Sequence, residues 1–231
     1  MASDSRLTLN HKEQRGSQQI QISVPQSDAN YKTFLSPGNI GISTFGASDV
    51  QGVPISGYIE SFINEKLSLN NVDVNEVPKL LLDYFKSLPL IPDTGFHVAG
   101  YNKKDGKYIP HVWRIILSQN LIAQINLPEQ QGAVWDGEVD IMTRLIQPVS
   151  LAGPDGKQVP LPPSIINWPF FTLQDAIDFA IYAVKVTRDT MRFQTRPKTV
   201  GGPVDVLVIK PNQSFWVQKK ELHAKDNELS F

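Results

Sequence analysis

The chain has 231 residues, of which 41% are hydrophobic and 19% charged, with a formal net charge of −1 and a pI near 6.4. That length and apolar content suffice for a core without disulfides or metals and exclude a disordered chain. The charge balance provides no basic excess for nucleic acid or an anionic membrane. The absence of cysteine excludes a disulfide framework, a thiolate zinc site and a cysteine nucleophile.

The N-terminus, Met1 to Arg6, lacks the apolar stretch of a secretory signal, and no run approaches the apolar length of a membrane span. A cytoplasmic protein is expected. The first third reads as strands. Gln18 to Val24 alternates polar and apolar residues until Pro25 and a polar run break it. Tyr31–Leu35 and Ile40–Phe45 flank the turn residues Ser36-Pro37-Gly38-Asn39, which predicts an antiparallel hairpin.

The apolar period then changes. Ile55, Tyr58, Ile59, Phe62 and Ile63 fall on one helical face, with Pro54 in the first turn. A second helix is expected near Glu76 to Ser87, with a stripe of Val77, Leu80, Leu81, Tyr84 and Leu88, ended by Pro89 and Pro92. Strands return at Gly95–Tyr101 and Tyr108–Leu117 around the charged turn Asn102–Lys107. Gly132–Trp135 reads as a weak strand and Gly137–Ile146 as a short helix. Gln147 to Pro163 holds five prolines and two glycines and reads as a long loop or inserted hairpin turning at Pro154-Asp155-Gly156-Lys157. The longest helix carries Leu173, Ala176, Ile177, Ala180, Ile181 and Val184 at core spacing, with Thr172 and Asp175 as a capping box. Val204–Ile209 reads as a buried strand, and Phe215–Val217 follows a turn.

Runs of strands alternate with runs of helices, without strict βαβ repetition. That order predicts an α+β layered domain with antiparallel sheets. One domain is expected over residues 1–218, interrupted by the loop insertion at about 147–163, with a polar tail over 219–231.

Residue types alone point to no chemistry. The four histidines, His11, His97, His111 and His223, show no metal-ligand spacing, so no metal is expected. His97 and His111 lie in two strands expected on either side of one turn, which leaves a pairing of those strands and a meeting in space open. There is no Walker loop, no full dinucleotide fingerprint and no Gly-x-Ser-x-Gly elbow, so no cofactor is expected either.

Four segments, taken in order, resemble the proteasome-type N-terminal nucleophile (Ntn) hydrolases. Ala2-Ser3-Asp4-Ser5-Arg6 is similar to the "A-A-D-S-R" or "A-S-D-T-R" that ends an early strand of proteasome β subunits. Tyr31-Lys32-Thr33 with Asn39 to Asp49 resembles the family's "K-I … I-G-x-x-x-x-G-x-x-x-D" hairpin. Phe96 to Tyr101, Asp105-Gly106 and Tyr108-Ile109-Pro110 resemble "V-A-G-Y-D … G-P-x-L-Y". Leu173 to Asp189, followed by Gly201-Gly202-Pro203-Val204-Asp205-Val206, resembles the last helix and "G-G-x-V-x-V-x-V-I". The resemblance covers nearly the whole chain and implies a four-layer αββα sandwich of two antiparallel sheets flanked by helices.

The resemblance also implies roles. Active members use an N-terminal Thr whose own amine is the base. Lys32 matches the lysine that favours the deprotonated nucleophile. Asp4 matches the carboxylate that orients that lysine. Gly46 matches the glycine whose N–H donates to the oxyanion. Asp189 matches the aspartate near the active amine, after the last helix. Read as bare residues, Lys32 is equally a solvated surface charge, Asp4 a turn residue or partner of Arg6, Gly46 a strand-end bend and Asp189 part of an exposed helix end.

This chain departs from the pattern in three places. Asp4 stands three residues from the start, Asn10 to Gln18 is a polar insertion, and Met191 to Val200 separates Asp189 from Gly201. Neither Ala2, Ser3 nor Ser5 stands where the nucleophile belongs. Two expectations follow from the resemblance. Either a hydrolase of peptide or other amide bonds has its nucleophilic first strand upstream of Met1, or the chain is a non-catalytic structural or binding subunit of a ring assembly. Both imply self-association into an oligomer, and neither calls for nucleic acid or a membrane.

Overall fold

The computed structural model describes residues 1–15, 18–68, 72–127, 130–162 and 165–221. In chain order these form β1 (Ala2–Ser3), β2 (Leu7–Arg15), β3 (Gln18–Ser27), β4 (Thr33–Ser36), β5 (Ile40–Gly46), β6 (Asp49–Val50), β7 (Val53–Pro54), α1 (Ile55–Phe62) and α2 (Val77–Lys86). There follow β8 (Thr94–Lys104), β9 (Lys107–Ile116), β10 (Leu121–Gln124), α3 (Asp140–Ile146), β11 (Ser150–Ala152), β12 (Gln158–Pro160), α4 (Leu173–Met191), β13 (Asp205–Val208) and β14 (Phe215–Gln218). The protein is α+β with antiparallel sheets. One sheet has five strands in the order β10-β9-β8-β5-β4, and a second has three in the order β1-β13-β14. No helix among the described residues is long and apolar enough to cross a membrane.

Strand alternation decides what each face meets. In the five-stranded sheet, Phe34, Ile42, Phe96, Val98 and Ile115 point to α1 and α2 and build the main core with Ile55, Ile59, Phe62, Leu81 and Phe85. Their strand neighbours Gly41, Ser43, His97 and Arg114 point the other way. In the three-stranded sheet, Val206 and Val208 pack with Ile177, Ile181 and Val184 of α4. Between them Leu207 faces Gly41: a Cβ on Gly41 would lie 3.3 Å from Leu207 Cδ2 and 2.6 Å from Met1 Sδ. Glycine there lets the two sheets approach.

The turns follow their residue chemistry. Gly38 and Asn39 adopt positive φ between β4 and β5, and Asp105 and Gly106 do so between β8 and β9. The β8–β9 turn is thus tighter than Asn102–Lys107. The capping box of α4 forms, Thr172 Oγ1 accepting from the Asp175 amide while the Asp175 carboxylate accepts from the Thr172 amide. Within the 147–163 stretch, β11 and β12 pair as a hairpin, and Pro163 lies outside the described residues.

Several elements differ from expectation. β3 runs through Pro25 to Ser27, with Pro25 opposite Thr8 beside a register shift of the β2–β3 pair, the kind of irregularity that accommodates proline. It pairs with β2, so the polar insertion around Asn10 is an extended ribbon. Gly132–Trp135 is not a strand; Leu121–Gln124 is, paired with β9. Leu82 and Phe85 of α2 are buried, which turns its core face beyond the expected stripe. On α4, Ile177 and Met191 are buried, while Leu173 is 49% exposed. Lys220, expected in the polar tail, is buried against Asp205, whose Oδ1 accepts from the Lys220 amide at 2.7 Å and whose Oδ2 meets its ammonium. Residues 222–231 of the tail lie outside the described residues.

Phe96 is fully buried between Phe85 and β5, with the Phe85 and Phe96 ring centroids 4.8 Å apart. Phe96→Ala is expected to cost about 3–5 kcal/mol, read as a lowered urea midpoint with unchanged slope.

Candidate functional site

Asp4 follows β1 directly and becomes a junction. Its Oδ1 accepts from Lys32 Nζ at 2.6 Å, and its Oδ2 accepts from the Arg6 amide at 3.1 Å and the Gly201 amide at 3.0 Å. The Lys32 and Asp4 side chains keep only 19% and 12% of their exposure, so solvent screens this pair far less than a surface one. The Lys32 carbonyl accepts from the Thr44 amide at 2.9 Å, which ties the lysine to β5.

Local sequence explains why Asp4 is held. A Cβ on Gly201 would lie 2.3 Å from Arg6 Cζ, so only glycine lets the guanidinium lie there. Arg6 in turn holds Asp28 bidentately, at 2.6 and 2.8 Å, and donates to the Lys198 carbonyl at 3.0 Å. The Arg6 guanidinium keeps the Asp28 carboxyl below the usual carboxylate range. Gly46 ends β5 at φ 96°, and a Cβ there would lie 2.7 Å from the Asp93 carbonyl oxygen. Both facts demand glycine.

Asp4, Lys32 and Gly46 line one cavity of about 950 Å³. Its opposite wall is apolar: Trp168, Phe171 and Phe179 cluster with ring centroids 4.9–6.0 Å apart, next to Ala180, Ala183 and Val184 of α4. The face of α4 expected to be core thus partly lines this cavity, since β1 is only two residues long and covers little of it.

Asp189 does not join the group. α4 continues to Met191, so Asp189 lies within the helix rather than after it, 61% exposed and 2.9 Å from Arg188, beside Tyr182 and Phe193. The Arg188 guanidinium lowers its pKa. The early hydroxyls are also engaged. Ser3 Oγ accepts from Thr33 Oγ1 at 2.9 Å, and Ser5 Oγ, fully buried, donates to the Pro203 carbonyl at 2.7 Å.

His97 and His111 do not meet. They pair with Arg114 and Gly100 and, being three residues off register, occupy opposite sheet faces. His111 bonds Asn102 at 3.1 Å, and burial lowers its pKa. His97 bonds Asp136 at 2.7 Å, and both line the cavity. Sequence reasoning missed this pair; the one signal was the alternation that puts His97 opposite the core residues Phe96 and Val98. Among the described residues no cluster of His, Asp or Glu could hold a metal ion.

Asp4→Ala removes the shared acceptor of three donors, and a loss of about 3 kcal/mol in urea unfolding is expected. The Asp28 shift sets a pH dependence. A folded pKa below the unfolded one stabilises above the unfolded value and fades as pH falls through the folded one. Wild type and Asp28→Asn should therefore differ in urea midpoint at pH 7 and converge in strong acid.

No family model matches this chain, and no curated protein matches it in sequence.

Proposed function

We propose that this chain forms a proteasome-like Ntn hydrolase domain that cleaves peptide or other amide bonds, with a nucleophile that is not among its own 231 residues. One observation carries the reading. The Asp4 carboxylate holds the Lys32 ammonium at 2.6 Å across 28 residues of sequence, at a cavity that Gly46 also lines. An ammonium so fixed favours the deprotonated form of a hydroxyl or amine brought beside it. The Gly46 amide, on the cavity lining, is the proposed oxyanion donor. Asp189 has no part in this site.

The layering supports the same reading. Helices α1 and α2 cover the outer face of the five-stranded sheet, α4 covers the outer face of the three-stranded one, and the Gly41–Leu207 approach joins the inner faces. We read this as the four-layer αββα sandwich.

A second reading, a non-catalytic subunit of a ring assembly, draws on a different observation. Ile165, Phe170 and Phe193 are 79–87% exposed, the kind of surface that an assembly covers.

The decisive experiment is the intact mass and N-terminal sequence of the protein from its native source, with hydrolysis of fluorogenic peptide amides by the same preparation. The hydrolase reading expects a mass above 25.8 kDa, a free Thr, Ser or Cys at the N-terminus, and turnover that Lys32→Ala abolishes without changing the circular dichroism. Turnover unchanged by Lys32→Ala overturns it. A large symmetric oligomer without turnover establishes the assembly reading instead.

A further inference from the structure

We propose that His97 and Asp136 form a recognition subsite for a neutral hydrogen-bond donor on the substrate, a carboxamide or hydroxyl close to the amide presented to Lys32 and Gly46. The inference rests on the hydrolase reading.

The subsite follows from strand register. Thr33 pairs with Ser43, Ser43 with His97, and His97 with Arg114, so the four side chains form one row across β4, β5, β8 and β9. The neighbouring rows, with Ile42, Phe96 and Ile115, fill the core beneath the helices, which leaves this polar row on the cavity side. Asp136 arrives from the loop after β10, where Gly137 turns the chain at φ 88°. Its Oδ2 meets His97 Nε2 at 2.7 Å and its Oδ1 meets Arg114 Nη2.

The chemistry follows from donor and acceptor counting. A carboxylate only accepts, so Nε2 of His97 carries a proton, and in the Nε2–H tautomer of an imidazole Nδ1 carries a lone pair. Among the described residues that Nδ1 has no hydrogen-bond partner, while the side chain keeps only 13% of its exposure. The Phe45 ring lies 5.1 Å from the imidazole and forms a flat wall beside it. Arg114 lies against the same carboxylate and compensates its charge. His97 Nδ1 lacks a donor, and Arg114 Nε, buried without a partner among the described residues, lacks an acceptor such as a carboxamide oxygen. A ligand N–H or O–H supplies the donor, whereas a methyl or thioether of the same size leaves the imidazole nitrogen unpaired and dry.

The test uses N-acetyl-glutaminamide against N-acetyl-methioninamide, and N-acetyl-tyrosinamide against N-acetyl-phenylalaninamide, each titrated into the chain and followed by NMR. The donor-bearing member of each pair is expected to bind on the order of tenfold more tightly. His97→Phe should level both pairs. His97→Gln should restore the preference, because its Oε1 accepts. Nitrogen-15 spectra of the ring should report the Nε2–H tautomer in the wild type and its loss in Asp136→Leu, which has no acceptor. Equal affinities within the pairs, a preference that survives His97→Phe, or no binding of any of the four compounds would each overturn the proposal. The two readings fail separately. Equal affinities alongside intact hydrolysis remove the subsite alone, and a standing preference without hydrolysis removes only the reaction.

Discussion

A single carboxylate gathers this fold's distant parts. Asp4 accepts from Lys32 at the entry to β4, from the Arg6 amide two residues on, and from the Gly201 amide nearly two hundred residues away. Mostly withdrawn from water, it costs free energy unless each of those donors is in place. The ends of the sequence are thereby forced together. Arg6 can lie against Gly201 only because that residue has no side chain, and it carries the same constraint outward to Asp28 and Lys198. The cavity mouth inherits its geometry from this junction.

Packing between the sheets divides the interior into unlike halves. The helix-facing side of the five-stranded sheet is a dry aromatic and aliphatic core around Phe62, Phe85 and Phe96. The other side carries hydroxyls, an imidazole and a guanidinium, and Gly41 on that side lies close to Leu207. Side-chain alternation along β5 and β8 produces both halves from the same residues, so the strands that build the core also place the polar groups.

Much of this was legible in the residues themselves. The period of Ile55, Ile59 and Phe62, the turn chemistry of Gly38-Asn39 and Asp105-Gly106, and the cap of Thr172 with Asp175 are local, and local physics decided them. The contact of Asp4 with Lys32 was legible only through a family resemblance, because nothing near either residue in sequence specifies the other. Asp136 was not legible at all: its role depends on a loop closing over a strand laid down 39 residues earlier. The resemblance set Asp189 after the last helix, whereas α4 runs on past it to bury Met191. Pro25 misled for a related reason, since a bulge that tolerates proline is a property of the strand pair and not of either strand.

The Asp205–Lys220 pair has a consequence for where this chain can be cut. Asp205 is fully buried in the middle strand of the three-stranded sheet, and its charge is balanced by a lysine that arrives after the last strand, with the Tyr31 ring 4.3 Å from the ammonium. Lys220 therefore belongs to the folding unit, although the sequence around it is polar. A protease or a stop codon acting ahead of Lys220 would leave a carboxylate sealed in an apolar sheet with no counter-charge, and the sheet beneath α4 would open to release it.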